Sequence, residues 1–253
     1  MKNRPSFASA ALLVVTVGLF GCAQPAAPLG PDEEAPFTAP DGMSAMMPAA
    51  GTKVGDLVGS TLCTTTVVLG LAQQIADRMA CAPSSGFVHF SADAELIFVG
   101  TAILPYLDQA GLADLRAAAH AAGSIHITSI FRTVPQQYLL YQWKLAGRCG
   151  IAAAATPGKS NHESGRAVDA QDWSARTAVL GTHGWAHDVP GDDVHFDHTA
   201  SPDQRGLDVF AFQQLWNENH PEDPIDEDGV YGPQTEARVK LSPADGFAVA
   251  GCS

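Results

Sequence analysis

Ser160-Asn161-His162-Glu163-Ser164-Gly165-Arg166-Ala167-Val168-Asp169 places an imidazole and a carboxylate seven residues apart, with small residues between them. Downstream, Asp192-Asp193-Val194-His195-Phe196-Asp197-His198 adds further imidazoles inside a run of acids. Two neutral imidazoles and one carboxylate suit a catalytic zinc, which takes three protein ligands and keeps a fourth position for water. His162, Asp169 and His195 would supply that set. Gly165 lets the chain turn between the first two, and Ala167 leaves room where backbone runs close to a metal. Arg166 to Ala170 reads as a short strand, so Asp169 shares a face with Ala167. Over Val194 to Asp197 the same alternation sets His195 and Asp197 on one face, polar and metal-directed, with Val194 and Phe196 on the other, buried. The competing reading is that these are unrelated surface acids and histidines of an acidic chain.

The two clusters resemble the Ser-x-His-x-x-Gly-x-Ala-x-Asp and Asp/Glu-x-x-His motifs of zinc peptidases related to the VanY-type D-alanyl-D-alanine carboxypeptidases. The number of matched positions argues against chance. A third stretch, Ser129-Ile130-Phe131-Arg132-Thr133 followed by Gln136-Gln137, is similar to that family's Ser-x-Tyr-Arg-Ser/Thr-x-x-x-Gln segment, with Phe131 in the tyrosine position. The resemblance implies one zinc per chain on His162, Asp169 and His195, and Asp192 as general base. It also implies Arg132 as stabiliser of substrate or intermediate oxygens, with Gln137 and Ser160 beside the substrate. A guanidinium suits its role because it stays charged and presents a planar fork to carboxylates. The family usually carries Glu at the base position and Trp before the second histidine. Asp192 and Val194 stand there in this chain, closer to L-Ala-D-Glu-type endopeptidases and phage lysins of the same superfamily.

The N-terminus reads as a targeting segment, residues 1–22. Lys2 and Arg4 form a basic region, and Ala10 to Phe20 an apolar stretch too short to span a bilayer. Leu19-Phe20-Gly21-Cys22 resembles a bacterial lipoprotein cleavage box, which implies lipidation of Cys22 and a stable membrane anchor. An ordinary secretory signal is the alternative, and either reading exports the chain. Ala23 in place of an aspartate favours the outer membrane, facing the periplasm, in a Gram-negative cell. Removing residues 1–21 takes away Lys2 and Arg4 and no acid, moving the net charge from −13 to −15. Such acidity argues against nucleic acid and against an anionic membrane surface as partners.

With Cys22 set aside, Cys63, Cys81, Cys149 and Cys252 suggest two disulfides in an exported protein. Cys63–Cys81 with Cys149–Cys252 is the preferred pairing, the first because it is local. No Cys-x-x-Cys pair is present to hold a structural zinc. Residues 23–52, rich in Pro, Ala and Met, read as a disordered tether. Residues 53–201 form the expected peptidase domain, of the α+β class with a small, mostly antiparallel sheet under helices. Helices are expected over Leu71 to Met79, around Leu112, Leu115 and Ala119 up to a Gly123 C-cap, and from Val134 through Ala146. Ile125 to Phe131 reads as a strand, while Ala92 to Leu107 gives mixed signals.

Residues 202–253 read as a separate helical segment. Val209, Phe212, Leu215 and Trp216 define a helical face, and Pro233 starts another helix. Asp228-Gly229-Val230-Tyr231-Gly232-Pro233-Gln234-Thr235 resembles the signature of a small peptidoglycan-binding domain. A calcium loop is excluded, because Gly229 at the sixth position puts Pro224 first and Thr235 twelfth, where carboxylates are required. The alternative is an appendage that only packs on the peptidase. His183 and His187 are no metalloprotease helix, because Gly184 holds the glutamate position. Trp185 is expected near the site, and His198 turned away from it. His89, His120, His126 and His220 are assigned no chemistry.

The resulting expectation is a lipid-anchored zinc peptidase acting on peptidoglycan stem peptides, as a D-alanyl-D-alanine carboxypeptidase. The alternatives are an L-Ala-D-Glu-type endopeptidase, or a non-catalytic lipoprotein that anchors the envelope to the wall.

Overall fold

The computed structural model of the protein describes residues 48–81 and 85–252. The targeting segment, the Cys22 lipidation site and the tether up to residue 47 lie outside them. A short helix α1 (Val54–Leu57) and a 3-10 turn lead into α2 (Leu69–Ala80), which buries Leu71, Ala72, Ile75 and Met79 along one stripe. Three strands of three residues follow: β1 (Phe87–His89), β2 (Leu96–Phe98) and β3 (Tyr106–Asp108). Elements that short carry too few alternations to set a period, so the sequence signal over 92–107 is mixed. α3 (Gln109–Ala122) starts on the Asp108 carboxylate, which accepts from the Ala110 N–H at 3.0 Å, and stops at Gly123, where φ is +83°.

β4 (Ile125–Ser129) and α4 (Val134–Leu145) come next, the helix opened by a Thr133–Gln136 capping box and by Pro135 in its first turn. The remaining elements are β5 (Ala167–Ala170), α5 (Trp173–Thr182), β6 (Trp185–Ala186), β7 (His195–His198), α6 (Leu207–Asn219) and α7 (Pro233–Leu241). Five strands form one sheet in the order β2-β4-β5-β7-β6. Only β2 and β4 run parallel, joined by the α3 crossover; the other pairs are antiparallel. β1 and β3 form a separate antiparallel pair. The class is α+β, as expected.

The C-terminal helices share the core of the rest of the chain. α6 packs on α2 and α7 on α1, and Val209, Phe212, Leu215 and Trp216 join the hydrophobic cluster that contains Ile75 and Phe196. Each such buried side chain contributes about 1.5–3 kcal/mol. Arg78 reaches from α2 to the Glu218 carboxylate of α6 at 2.7 Å. The disulfides are Cys63–Cys149 and Cys81–Cys252, with Cα–Cα separations of 5.2 and 5.8 Å, so the local pairing preferred from sequence is wrong. The reason is α2, whose 12 residues lie between Cys63 and Cys81. At about 1.5 Å per residue it sets its two ends about 18 Å apart. Cys81 is carried instead to the chain end and fastens it.

Candidate metal centre

β5 and β7 pair in a register that sets Asp169 directly opposite His195. Alternation then turns Val168, Ala170 and Phe196 into the core, all without exposed surface, while Asp169 and His195 face the opposite side. His162 arrives from the 3-10 turn Asn161–Ser164 that precedes β5. That turn is held by a capping box. Ser160 Oγ accepts from the His162 N–H at 3.3 Å, and the Glu163 carboxylate accepts from the Ser160 N–H at 2.9 Å. Gly165 closes it with φ +73°, where a Cβ would also press on the Phe87 ring at 3.2 Å.

Three donor atoms converge. His162 Nε2 and Asp169 Oδ1 are 3.1 Å apart, His195 Nδ1 and Asp169 Oδ1 3.2 Å, and His195 Nδ1 and His162 Nε2 3.2 Å. Ligands bound to zinc at about 2.0–2.1 Å in tetrahedral geometry lie about 3.3 Å from one another. The triangle therefore fits three corners of such a tetrahedron, and its fourth corner faces the cavity. The groups behind the ligands fit as well. His162 Nδ1–H donates to the Ile130 carbonyl at 2.6 Å, which leaves Nε2 as the metal-directed lone pair. His195 Nε2 lies 3.2 Å from Asp197 Oδ2, which fixes Nδ1 as its ligand atom. Asn161 donates to the same Asp197 oxygen at 2.6 Å. Asp197 and Asn161 are thus the positioning groups that the motif comparison did not assign. The alternation of β7 already put Asp197 on the metal face.

The electrostatics match a cation site. Burial alone would raise Asp169, but His162, His195 and Arg132 hold its carboxyl well below the usual carboxylate range. Burial works against a charged His195, yet hydrogen bonds to Asp169 and Asp197 outweigh it and push the imidazole up to about 9. Arg132 is pulled below its ordinary value by burial, with Asp169, Glu163 and Asp192 opposing that pull. Its guanidinium donates to Gln137 Oε1 at 3.0 Å and to Ser129 Oγ at 3.2 Å, using two of its five N–H groups.

A cavity of about 550 Å³ opens over this face, within the range of small-molecule and peptide pockets. Arg132, Ser160, His162, Asp169, Asp192 and His195 all line it, so every residue assigned from the motifs comes together. Asp192 is exposed to the cavity, and its carbonyl accepts from the His195 N–H at 3.3 Å. Gln137 lines the cavity as well, at its edge. It is 1 % exposed; its oxygen serves Arg132 and its amide nitrogen donates to the Ala155 carbonyl at 2.8 Å. Gln137 therefore holds Arg132 against the 150–159 loop. Trp185 departs from the expectation. It pairs with His198 on the opposite face of the sheet, its ring 5.1 Å from that imidazole. His198 is turned from the metal face as expected, with its nitrogens 2.8 Å from Ser201 Oγ and 2.9 Å from Asp114 Oδ2.

Sequence reasoning had no means of finding Asp208. This α6 carboxyl is fully buried against Glu163, next in sequence to the candidate ligand His162. Burial raises Glu163 to about 7 despite N–H bonds from Gly158 and Ser160, and raises Asp208 well above the carboxylate range, with the charge of Glu163 adding to the effect. The two buried carboxyls meet and raise each other, which brings α6 against the turn that carries His162.

With this geometry in hand, the comparisons with known proteins fall on the same residues. The family model of the D-alanyl-D-alanine carboxypeptidase VanY matches residues 108–198, the span from the start of α3 to the end of β7. Arg132, His162, Asp169, Asp192 and His195 all lie within it. No curated protein and no solved structure matches the chain.

Proposed function

We propose that this protein is an exported, zinc-dependent peptidase that hydrolyses peptidoglycan stem peptides as a D-alanyl-D-alanine carboxypeptidase. The observation that carries the reading is the triangle of His162, Asp169 and His195 donors on the wall of a cavity that also presents Arg132 and Asp192. The match of residues 108–198 to the carboxypeptidase family supports it. When bound, zinc supplies Lewis acidity and an acidified water at neutral pH. Asp192 accepts the proton of the attacking water and passes it to the leaving amine. The free N–H groups of Arg132 face the oxygen on which negative charge develops, and Gln137 and Ser129 keep the guanidinium from turning away. The targeting segment and Cys22 would deliver the enzyme to the envelope as a lipoprotein.

A second reading is the L-Ala-D-Glu-type endopeptidase, favoured by Asp192 and Val194 at positions where the carboxypeptidases carry Glu and Trp. One assay separates the two. The zinc-loaded chain, without residues 1–22, is incubated with a synthetic stem pentapeptide and the products are read by mass spectrometry. Loss of one terminal alanine is the expected result. An internal cut assigns the endopeptidase, and an intact peptide in the presence of bound zinc assigns the wall-anchoring role.

A further inference from the structure

The chain has only five lysines, at positions 2, 53, 144, 159 and 240, against 27 acids. Two of the four in the described residues, Lys144 and Lys159, line the cavity over the metal face, and both are exposed there. Among the described residues, most arginine and lysine side chains pair with a carboxylate. Lys53, Arg132, Lys144, Arg148 and Lys159 do not, and three of these five line this cavity. Lys144 has a long contact to the Ala154 carbonyl, at 3.4 Å, and its ammonium lies 6.0 Å from the centre of the Tyr141 ring. Asp169 and Asp192 on the cavity wall act on Arg132, which leaves Lys144 and Lys159 as the exposed cations of this concavity without a carboxylate partner, in a chain of net charge −13.

Their arrangement along α4 gives the concavity a length. Gln137, Leu140 and Lys144 fall on one stripe of that helix at i, i+3 and i+7, and all three line the cavity. At about 1.5 Å per residue, Lys144 lies about 10 Å along the helix axis from Gln137, the residue that holds Arg132. An extended peptide covers that distance in about three residues. Lys159 approaches from the loop that runs into the metal-bearing turn, with Leu140 and Ile151 as apolar wall between the cations.

We infer that Lys144 and Lys159 form a specificity subsite for a carboxylate-bearing residue of the peptide, about three positions to the amino-terminal side of the scissile bond. The free C-terminus, one residue from the bond, is the other source of a carboxylate and lies too close to the metal to reach Lys144. The inference rests on the peptidase reading for where the scissile bond sits.

The test uses the zinc-loaded chain without residues 1–22 and three fluorescein-labelled stem pentapeptides. One carries all its carboxylates, one has its internal acidic groups converted to amides, and one is amidated only at its C-terminus. Binding is followed by fluorescence anisotropy at low salt and cleavage by mass spectrometry. Converting the internal acids weakens binding about tenfold, as two partly exposed ion pairs allow. The terminal amide does not reproduce that loss. The K144M/K159M variant binds the acid and the internal-amide peptides alike, with far-ultraviolet circular dichroism unchanged. Equal binding of those two peptides by the unmodified protein, or discrimination that survives in the variant, overturns the subsite. Discrimination without cleavage keeps the subsite and refutes the peptidase; cleavage without discrimination does the reverse.

Discussion

At the metal face, His162, Asp169 and His195 turn three donor atoms toward one point, whereas in the C-terminal lobe Gln213, Asp228 and Thr235 turn theirs on one another. Gln213 Oε1 accepts from the N–H groups of Asp228 and Gly229 at 3.0 and 2.8 Å, and its Nε2 donates to Asp228 Oδ1 at 2.8 Å. Gly229 and Gly206, both at positive φ, approach so closely that a Cβ on either would come within 2.9 Å of the other's carbonyl oxygen. Gln213 and Asp228 hold this loop on α6, while the Tyr231 hydroxyl is buried without a hydrogen-bond partner. Two stretches that read alike as motifs thus differ in kind. One turns three metal-ligating atoms to a single point on a cavity of about 550 Å³; the other lines a smaller pocket with groups that bond one another and their own loop.

This contrast sets the expected effects of substitution. His195→Ala removes a metal ligand, and the purified variant should contain far less than one zinc per chain by elemental analysis. A full complement of tightly held zinc would rule out the ligand set. Asp192→Ala should keep its zinc and lose about 10²–10⁴ in kcat, measured on the stem pentapeptide. Unchanged turnover would remove Asp192 as the base. Asp197→Ala frees the far nitrogen of His195 and should weaken zinc affinity about 10–100-fold in a chelator competition, with the fold intact.

Acidity acts on the same nitrogen. His195 is protonated below about 9 in the metal-free protein, and the metal needs it neutral. Zinc affinity therefore rises with pH up to that value and falls about tenfold per unit below it, for one displaced proton. An affinity that stays flat between pH 6 and 8 would show that Asp169 and Asp197 do not hold His195 protonated in the metal-free protein. Gln213→Ala gives the smallest catalytic effect. It leaves two N–H groups without their acceptor and should lower stability by about 1–3 kcal/mol in denaturant titration, with zinc content and turnover unchanged. A drop in turnover at full zinc occupancy would mean that the lobe takes part in the chemistry.

How much of this was legible follows from which interactions are local. The alternation of β5 and β7 and the caps of α3 and α4 depend on neighbouring residues, so strand faces and helix ends could be read from the chain, and the motif resemblance pointed to the three candidate ligands that the fold brings together. Pairings across the fold left no such trace. Cys63 seeks Cys149 because α2 carries Cys81 away, and Asp208 meets Glu163 only because α6 packs beside the metal-bearing turn. Gln137 lines the cavity, but its bonds to Arg132 and to the Ala155 carbonyl depend on a loop that the motif does not include.

The most direct test of the central claim is metal dependence of peptide cleavage. The chain without residues 1–22 is stripped with chelator and dialysed, and cleavage of the stem pentapeptide is followed as zinc is titrated back. Activity should be absent from the stripped protein and should return in proportion to zinc, reaching its plateau at one ion per chain. Cleavage by the stripped protein at the full rate would contradict the assignment of His162, Asp169 and His195 as the centre of the reaction.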